Sequence, residues 1–395
     1  MKTKLWYSTW ILACILCISS CGSNKEKAAS TSGGTEKQAA HEASDSVKVV
    51  ANEALNDAAR FVAGLPVVNQ NNKLYALTQT KEWKNHARNM DQIWNSYQQS
   101  APKVLSFAQH ELSDINQKSQ TLFYPFGGPD FLFSNAFFPD MSTYFLIGLE
   151  RTGQAIQVKH PSAKTYKLYQ DAVSDVLSLS FFRTKDMNVE QENDTIDGVV
   201  PIISMLMARA DKQIISIKNM RINENGKIVD TETDGTPISS PTGLIEIKFF
   251  RTGTNKAQTL YYYATDLSND GLSKNKPLVA YINSLNQVTT ATFIKSASYL
   301  MHESMFSTIR DMILKQSSAI MQDDSGIPLV YYKKEVWDTV LYGTFYKPIS
   351  TYVEYAQPAL RDAYQLGSPK PLAFRIGFAR QSNLQIMRQR SASPR

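Results

Sequence analysis

The stretch LFYPFGGPDFLFSNAFFPDMSTYFLIGLE, residues 122–150, decides the fold because it places a turn and a short apolar segment between two strand-like runs. Residues 122–126 are typical of a buried strand, and Gly127-Gly128-Pro129 is typical of a turn. Residues 130–138 predict a short helix, and residues 143–149 predict a second strand. A strand, a helix and a strand in succession predict a parallel pair of strands.

Seven aromatic residues lie within residues 123–138, where Asp130 is the only charge. A segment of this composition must be buried or must bind something apolar. Asp130 stands at the position of a helix N-cap, so we expect it to cap the helix. Glu150 lies 22 positions after Gly128, which also admits a nucleotide-binding interpretation. Against that interpretation, the turn lacks GxGxxG spacing, and Pro129 has no backbone N–H to offer a phosphate.

The rest of the chain predicts helices first and strands later. Upstream, helical spacing of apolar residues predicts helices over 47–63 and 83–97 and a third that begins at 100–102. Downstream, the pattern first predicts helices over 166–182 and 196–210 and then two hairpins, 214–221/227–231 and 244–251/258–264. After the hairpins it predicts a helix over 277–285, a strand over 290–295 and a helix over 305–316. Aromatic strands up to 346 and a final strand over 372–379 complete the prediction. The sequence therefore predicts an α+β fold, in which N-terminal helices precede a mixed sheet with a strand-helix-strand unit and an antiparallel meander.

The composition indicates a globular protein and excludes several classes of enzyme. The chain has 395 residues, of which 43% are hydrophobic, enough for a sizeable core. All three cysteines lie within the first 21 residues, so the folded body has no thiol for a disulfide, a zinc site or a cysteine nucleophile. The GxSxG, HExxH, P-loop and EF-hand motifs are absent, so no common motif assigns a reaction.

The N-terminus is typical of a secretory signal. Lys2 and Lys4 precede an apolar run over residues 5–18, which is shorter than the about 20 residues that span a bilayer. Ile18-Ser19-Ser20-Cys21-Gly22 follows and resembles the lipobox of bacterial lipoproteins. That resemblance implies cleavage before Cys21, diacylglycerol on its thiol and acylation of its new amino group, and several acyl chains anchor a protein stably.

Cys14 is an alternative lipidation site, but it would leave a shorter apolar core in the leader. Gly22 is not the Asp that retains similar lipoproteins of enteric bacteria at the inner membrane. The resemblance therefore predicts a protein anchored in the outer membrane, with its body on the periplasmic side. The membrane, reached through the lipid anchor, is the expected partner.

The remaining segments complete the predicted organisation. Residues 22–46 contain no aromatic residue and no Leu, Ile, Val or Met, so they predict a disordered tether. Residues 370–395 hold six basic and no acidic side chains and predict a solvated end. Positive charge at one end of a secreted chain does not indicate nucleic-acid binding. The predicted segments are a signal peptide over 1–20, the lipidated cysteine and tether over 21–46, a helical region over 47–120, an α/β body over 121–380 that could form one domain with it, and a basic tail over 381–395.

Three segments resemble those of an uncharacterised group of bacterial envelope proteins. They are YPFGGPDFLFSNAFFPD (124–140), SYLMH (298–302) and QDDSGIP (322–328). This resemblance would cover most of residues 120–345 and implies a single body. It carries no known activity, cofactor or catalytic residue.

Asp323 and Asp324 are the most chemically suggestive pair in the sequence. An Asp-Asp-Ser-Gly segment is typical of a solvent-facing reversal with positive φ at the glycine, here Gly326. Paired carboxylates after a strand could instead bind a divalent cation or act as an acid and a base. His302 lacks the second histidine of a zinc helix, so we expect a structural role for it.

We therefore expect a lipid-anchored envelope protein that acts as a non-catalytic binding or assembly module. The alternative is an enzyme, or a protein that binds a nucleotide or cofactor, with carboxylates at the strand ends. Its candidate residues are Asp130, Glu150, His302, Asp323 and Asp324. The sequence names no cofactor and no small-molecule or protein partner.

Overall fold

The computed structural model describes residues 49–158, 161–179, 198–233, 243–378 and 382–390. These residues belong to one compact unit, Lys48–Arg395, which contains the predicted helical region and the α/β body. The predicted signal peptide, lipidated Cys21 and tether lie outside the described residues. No helix within the described ranges combines the length and apolar character needed to cross a bilayer.

From residue 49 onwards, four helices precede the first strand: α1 (Glu53–Val62), α2 (Lys73–Thr78), α3 (Lys81–Glu111) and α4 (Ser113–Lys118). The first three begin at Asn52, Asn72 and Thr80, whose side chains accept hydrogen bonds from backbone N–H groups of the first turn. Helix α3 continues through Pro102, so the prediction of two helices here was wrong. Its buried face continues from Trp94 to Val104, and packing of that face offsets the hydrogen bond that proline removes.

In the described residues that follow there are seven further helices and ten strands, with short 3-10 segments between some of them. The helices are α5 (Phe131–Phe137), α6 (Ala163–Leu179), α7 (Val200–Arg209), α8 (Asn269–Lys274), α9 (Lys276–Ser284), α10 (Ser307–Gln316) and α11 (Pro358–Leu366). The strands are β1 (Thr121–Tyr124), β2 (Thr143–Gly148), β3 (Lys212–Ile222), β4 (Ile228–Asp230), β5 (Leu244–Arg251), β6 (Ala257–Ala264), β7 (Thr290–Ile294), β8 (Ala319–Gln322), β9 (Trp337–Gly343) and β10 (Asn383–Gln389).

All ten strands form one mixed sheet with the order β4-β3-β5-β6-β2-β1-β7-β8-β10-β9. The five strands from β6 to β8 are parallel, and antiparallel strands extend the sheet at both sides. The predicted α+β class is confirmed. So is the strand-helix-strand unit, because β1 and β2 pair in parallel, with Thr121 opposite Thr143, on either side of α5.

The antiparallel strands β3 to β6 are those that the sequence predicted, but β5 pairs with β3 rather than with β4. They therefore form two hairpins joined through their long strands. The turn signals predict each hairpin locally, whereas the pairing between hairpins depends on contacts that no local signal encodes.

The end of the chain differs from its prediction. Residues 372–378, the described part of the expected strand over 372–379, form no strand, and strand β10, Asn383–Gln389, lies instead within the predicted solvated tail. Strand β10 is inserted between β8 and β9, where Leu384, Ile386 and Met387 are buried. Its apolar residues are few and its neighbours in sequence are basic, so only the long-range pairing with β8 and β9 identifies it as a strand.

The sheet separates two apolar cores. Tyr261, Tyr262 and Tyr263 of β6 were predicted to present rings to both faces, and this is confirmed. Tyr262 packs in the core beneath α1, α3, α5, α6 and α7, whereas Tyr261 and Tyr263 pack against the core beneath α8, α9 and α10. Burial on both faces explains why the parallel strands are almost entirely apolar.

His86 on α3 is a buried histidine held in its neutral form. Its Nε2 donates to the backbone carbonyl of Val62 (2.9 Å), and its Nδ1 accepts from the side-chain amide of Gln170 (3.0 Å). Only 1% of His86 is exposed, and burial lowers its pKa to about 4. Protonation at Nδ1 would turn the contact with Gln170 into one between two donors.

We expect this histidine to make the protein less stable as the pH falls from 6.5 to 4. The unfolded histidine binds a proton near pH 6.5 and the folded one near pH 4, so the free energy of unfolding should fall by up to about 3 kcal/mol. Urea unfolding at several pH values in this range measures the effect. His302 titrates in the same range in both proteins, so the difference between wild type and His86→Gln isolates His86. Parallel pH profiles for the two proteins would contradict the expectation.

Candidate functional site

The order in which the chain visits the parallel strands leaves a crevice at one edge of the sheet. From β1 the chain moves to β2 and later to β6 on one side, and then crosses to β7 and β8 on the other. The loops after β1 and β7 therefore lead in opposite directions. Doubly wound α/β sheets bind ligands at this kind of switch point, beyond the carboxyl ends of the strands.

The whole sheet is consistent with a doubly wound plan. When β1, β2 and β6 to β10 are numbered one to seven along the chain, their order is 3-2-1-4-5-7-6, with the seventh strand antiparallel. This order differs from the 3-2-1-4-5-6 order of dinucleotide-binding sheets by the insertion of one strand. Strands β3 to β5 extend the sheet beyond that arrangement.

A cavity of about 750 Å³ occupies the crevice, and we call it the switch-point cavity. It is lined by residues that directly follow four of the parallel strands, and segments from later in the chain close it. The lining residues are Tyr124, Phe126, Gly127, Gly128, Asp130, Ile147 to Glu150, Thr265 to Leu267, Lys295 to Ser298, Leu300, Phe306, Ile349, Thr351, Tyr352 and Phe378. This volume lies within the range of about 300–1,000 Å³ that is typical of small-molecule sites.

A buried ion pair joins the two sides of the switch point. Lys295 Nζ lies 2.6 Å from Asp130 Oδ2, and the two side chains are 1% and 2% exposed. Tyr124 Oη donates to the same oxygen (2.9 Å), and the backbone N–H of Phe133 donates to Asp130 Oδ1 (3.1 Å). The predicted N-cap role of Asp130 is therefore confirmed. Burial lowers the pKa of Lys295 more than the Asp130 carboxylate raises it.

Glu150 lies at the end of β2, and only 1% of it is exposed. Tyr262 Oη donates to its Oε2 (2.9 Å) and to its backbone carbonyl (3.0 Å). The burial of Tyr262 and the nearby carboxylate raise the pKa of that phenol. Two glycines leave the space that the carboxylate fills, because a Cβ on Gly148 would lie 2.4 Å from Oε2 and one on Gly128 would lie 3.4 Å from Oε1. The structure thus places Gly128 of the glycine turn beside Glu150, the two features on which the nucleotide-binding interpretation of the sequence was based.

Asp323 and Asp324 are buried rather than facing solvent, so the expectation of a solvated reversal was wrong. Asp323 accepts hydrogen bonds from the backbone N–H groups of Ser296 (2.8 Å) and Ser325 (3.0 Å). Asp324 accepts from Tyr299 Oη and from Asn383 Nδ2, the latter at 2.6 Å. Burial raises the pKa of both carboxyl groups, and the neighbouring Asp324 raises that of Asp323 further.

The expectation for Gly326 was also wrong, because its φ is not positive. Glycine is required there since a Cβ would lie 2.5 Å from Gln322 Oε1. In the part of the chain that the structure describes, no three His, Cys, Asp or Glu side chains are placed to hold a metal ion. Asp323 and Asp324 therefore have no third His, Cys, Asp or Glu side chain placed with them there, and they hydrogen-bond to the loop after β7.

The loops after β1 and β7 contain unusual backbone strain. Four of the five non-glycine residues with positive φ in the described ranges lie in them: Phe126 (60°), Ser296 (51°), Ser298 (51°) and Tyr299 (58°). Each such residue costs about 1–3 kcal/mol and persists only where its surroundings enforce it. The aspartates at the end of β8 enforce it on the β7 side, and strain of this kind concentrates at binding sites.

His302 lies outside the cavity lining. Its ring packs against Tyr299 and Tyr355 at centroid distances of 5.1 and 5.6 Å, and burial lowers its pKa to about 4. Nothing in this geometry gives His302 access to a ligand in the switch-point cavity. The structural role expected for it stays a prediction.

We expect Asp130→Asn to lower the free energy of unfolding by about 3–5 kcal/mol, because it leaves the Lys295 charge buried without its carboxylate. Asparagine can still cap α5, so the loss reports the missing charge. Replacing both partners, in Asp130→Asn/Lys295→Met, should recover much of the stability. Chemical denaturation measures all three proteins.

The matched control for this expectation is Asp270→Asn. Asp270 and Lys274 also pair at 2.6 Å, but their side chains are 75% and 73% exposed, so little stability should depend on them. Equal losses for Asp130→Asn and Asp270→Asn would show that the buried pair has no special role.

Sequence reasoning found part of the site. Of its candidates, Asp130 and Glu150 line the cavity, whereas Asp323 and Asp324 support one wall. It missed Lys295, whose signal is a lone charge that ends the apolar strand segment TATFIK. No protein-family model, curated protein or solved structure matches the chain, so its geometry is the basis for a functional proposal.

Proposed function

We propose that this chain is a lipid-anchored protein of the bacterial envelope that binds one class of small organic ligand in the switch-point cavity. The lipobox-like segment that ends at Cys21 supports the anchor and a location at the outer membrane. The position of the cavity, at the carboxyl ends of parallel strands where the strand order reverses, carries the proposal of ligand binding.

The charges around the cavity select against phosphate. Among its described lining residues, Asp130, Glu150 and Asp266 are acidic, and Lys295 is the single basic residue. Lys295 is paired with Asp130, so Glu150 and Asp266 leave the lining negative. A negative lining favours neutral or positively charged ligands over phosphorylated ones. The N-terminus of α5, where a phosphate would otherwise be expected, is capped by a carboxylate.

Glu150 indicates which polar groups the ligand presents. A carboxylate accepts hydrogen bonds, and in doubly wound sheets the acid at this place contacts the hydroxyl groups of a ribose. Tyr262 fixes the side chain through Oε2, so the carboxylate is held in place before any ligand binds. The ligand class is therefore a phosphate-free compound with a vicinal diol, neutral or cationic, which describes ribonucleosides and uncharged sugars.

We expect titration calorimetry of the purified protein to detect binding of adenosine, S-adenosylmethionine or glucose, and much weaker binding of ATP. Which of the first three binds distinguishes a nucleoside from a sugar. A charge-assisted hydrogen bond contributes about 1.5–3 kcal/mol, so Glu150→Gln should weaken binding about 10- to 100-fold. If adenosine binds, 2′-deoxyadenosine should lose a similar factor.

The chain offers a closely matched control in Glu246. This glutamate is also buried and also accepts from a neighbouring tyrosine of β6, Tyr261, at 2.9 Å, but it does not line the cavity. Glu246→Gln should leave ligand affinity unchanged. ATP binding more tightly than adenosine, or no heat from any probe at millimolar concentration, would refute the proposed ligand class.

For the anchor, we expect a clickable fatty acid to label the wild-type protein in bacterial cells and not the Cys21→Ser variant. The variant should accumulate as a precursor with its leader attached. Gel fluorescence after click coupling measures the label, and membrane fractionation locates the protein. Label that persists in Cys21→Ser would assign the anchor to Cys14 or Cys17 instead.

A further inference from the structure

The switch-point cavity has an aromatic-rich end, which we call the apolar end, opposite its acidic end. Glu150 follows β2 and Asp266 follows β6, with Ile147, Leu149 and Leu267 beside them, whereas the aromatic lining follows β1 or comes from later segments. Three strand spacings of about 4.8 Å separate β6 from β7, so the two ends lie roughly 14 Å apart at the sheet. Six large apolar side chains line this second end: Phe126, Leu300, Phe306, Ile349, Tyr352 and Phe378.

The aromatic rings at this end form two pairs. Phe126 meets Phe306 edge to face, with centroids 5.7 Å apart and an interplanar angle of 77°. Tyr352 contacts Phe378 at 5.4 Å and 43°. Phe126, Tyr352 and Phe378 are only partly buried, so ring surface remains available to a ligand.

The neighbouring structure holds these rings in place. Phe126 has a φ of 60°, which places its ring at a cost in backbone energy. Phe378 stacks on Tyr299 with centroids 6.3 Å apart and an angle of 9° between rings, and Tyr299 donates to the buried carboxylate of Asp324. Rings that are held by their neighbours and are only partly buried can present fixed apolar surface to a ligand in the cavity.

We propose that the apolar end binds an uncharged aromatic ring while the acidic end binds the diol. This inference rests on the proposed function and extends it, because it assigns the chemical class of the second group in the same cavity. The rings provide flat apolar surface for stacking or edge-to-face contact. The charged lining residues that follow β1 and β7, Asp130 and Lys295, are paired with each other and almost fully buried. The ring belongs either to the diol-bearing molecule or to a second molecule beside it.

The test uses 4-fluorobenzyl alcohol, a water-soluble uncharged aromatic compound, observed by ¹⁹F NMR with the full-length protein in detergent. Empty micelles provide the blank. We expect saturable line broadening that excess benzyl alcohol reverses and that choline does not. Tyr352→Ser should weaken binding at least about fivefold, as loss of an aromatic contact and its buried area predicts. Thr351→Trp, which adds bulk to an exposed lining residue, should weaken binding without removing an aromatic ring.

Tyr346→Ser is the control, since Tyr346 is an exposed tyrosine that does not line the cavity, and this variant should bind the probe like wild type. Unchanged binding in both Tyr352→Ser and Thr351→Trp would overturn the inference, as would displacement by choline but not by benzyl alcohol. Adding adenosine at a saturating concentration tests whether the aromatic ring belongs to the diol-bearing molecule or to a second molecule. Displacement of the probe places diol and ring in one molecule, whereas simultaneous binding assigns the ring to a second molecule.

Glu150→Gln separates this inference from the proposed function. This substitution should weaken the binding of the diol-bearing ligand. It should leave the affinity for 4-fluorobenzyl alcohol unchanged within about twofold, because the acidic and apolar ends are distinct. Diol binding without probe binding would refute only the aromatic compartment. Probe binding without any diol binding would refute the diol class and leave the aromatic assignment standing.

Discussion

The ion pair between Asp130 and Lys295 constrains the arrangement of everything around the switch point. Strands β1 and β7 pair directly, but the loops that follow them lead in opposite directions, so the sheet alone does not fix the distance between the loops. Two opposite charges buried together must stay together, because separating them would cost each its closest opposite charge in an apolar environment. The pair therefore ties the two loops together across the crevice, while the hydrogen bonds from Tyr124 and Phe133 fix the orientation of the carboxylate.

A second constraint acts from behind the loop after β7. Asp323 and Asp324 contact no ligand position directly, yet they hold Ser296 and Tyr299 in left-handed backbone conformations that these residues do not favour. The energy of these hydrogen bonds offsets the cost of the strained backbone and so adds little net stability. This role explains why two adjacent acidic residues that look reactive in the sequence are surrounded by hydrogen-bond donors of the protein.

The sequence allowed prediction where the signal was local. The strand, turn and helix around Gly127 follow from composition and spacing over fewer than 30 residues, and both the parallel pair and the cap at Asp130 are present. The position of β10 was not predictable in this way, because its pairing with β8 spans more than 60 residues and its own apolar residues are few. Lys295 was missed for the same reason, since its importance depends on a partner 165 positions away.

The place of β10 in the sheet has a consequence for how the protein folds. Strand β9 joins the sheet through β10, and the pairing of β10 with β8 joins residues more than 60 positions apart. In any folding intermediate that forms β8 and β9 before β10 is inserted, both strands present an open edge. Unpaired edges of this kind recruit strands from other copies. Insertion of β10 is therefore the folding step that protects this side of the sheet from aggregation.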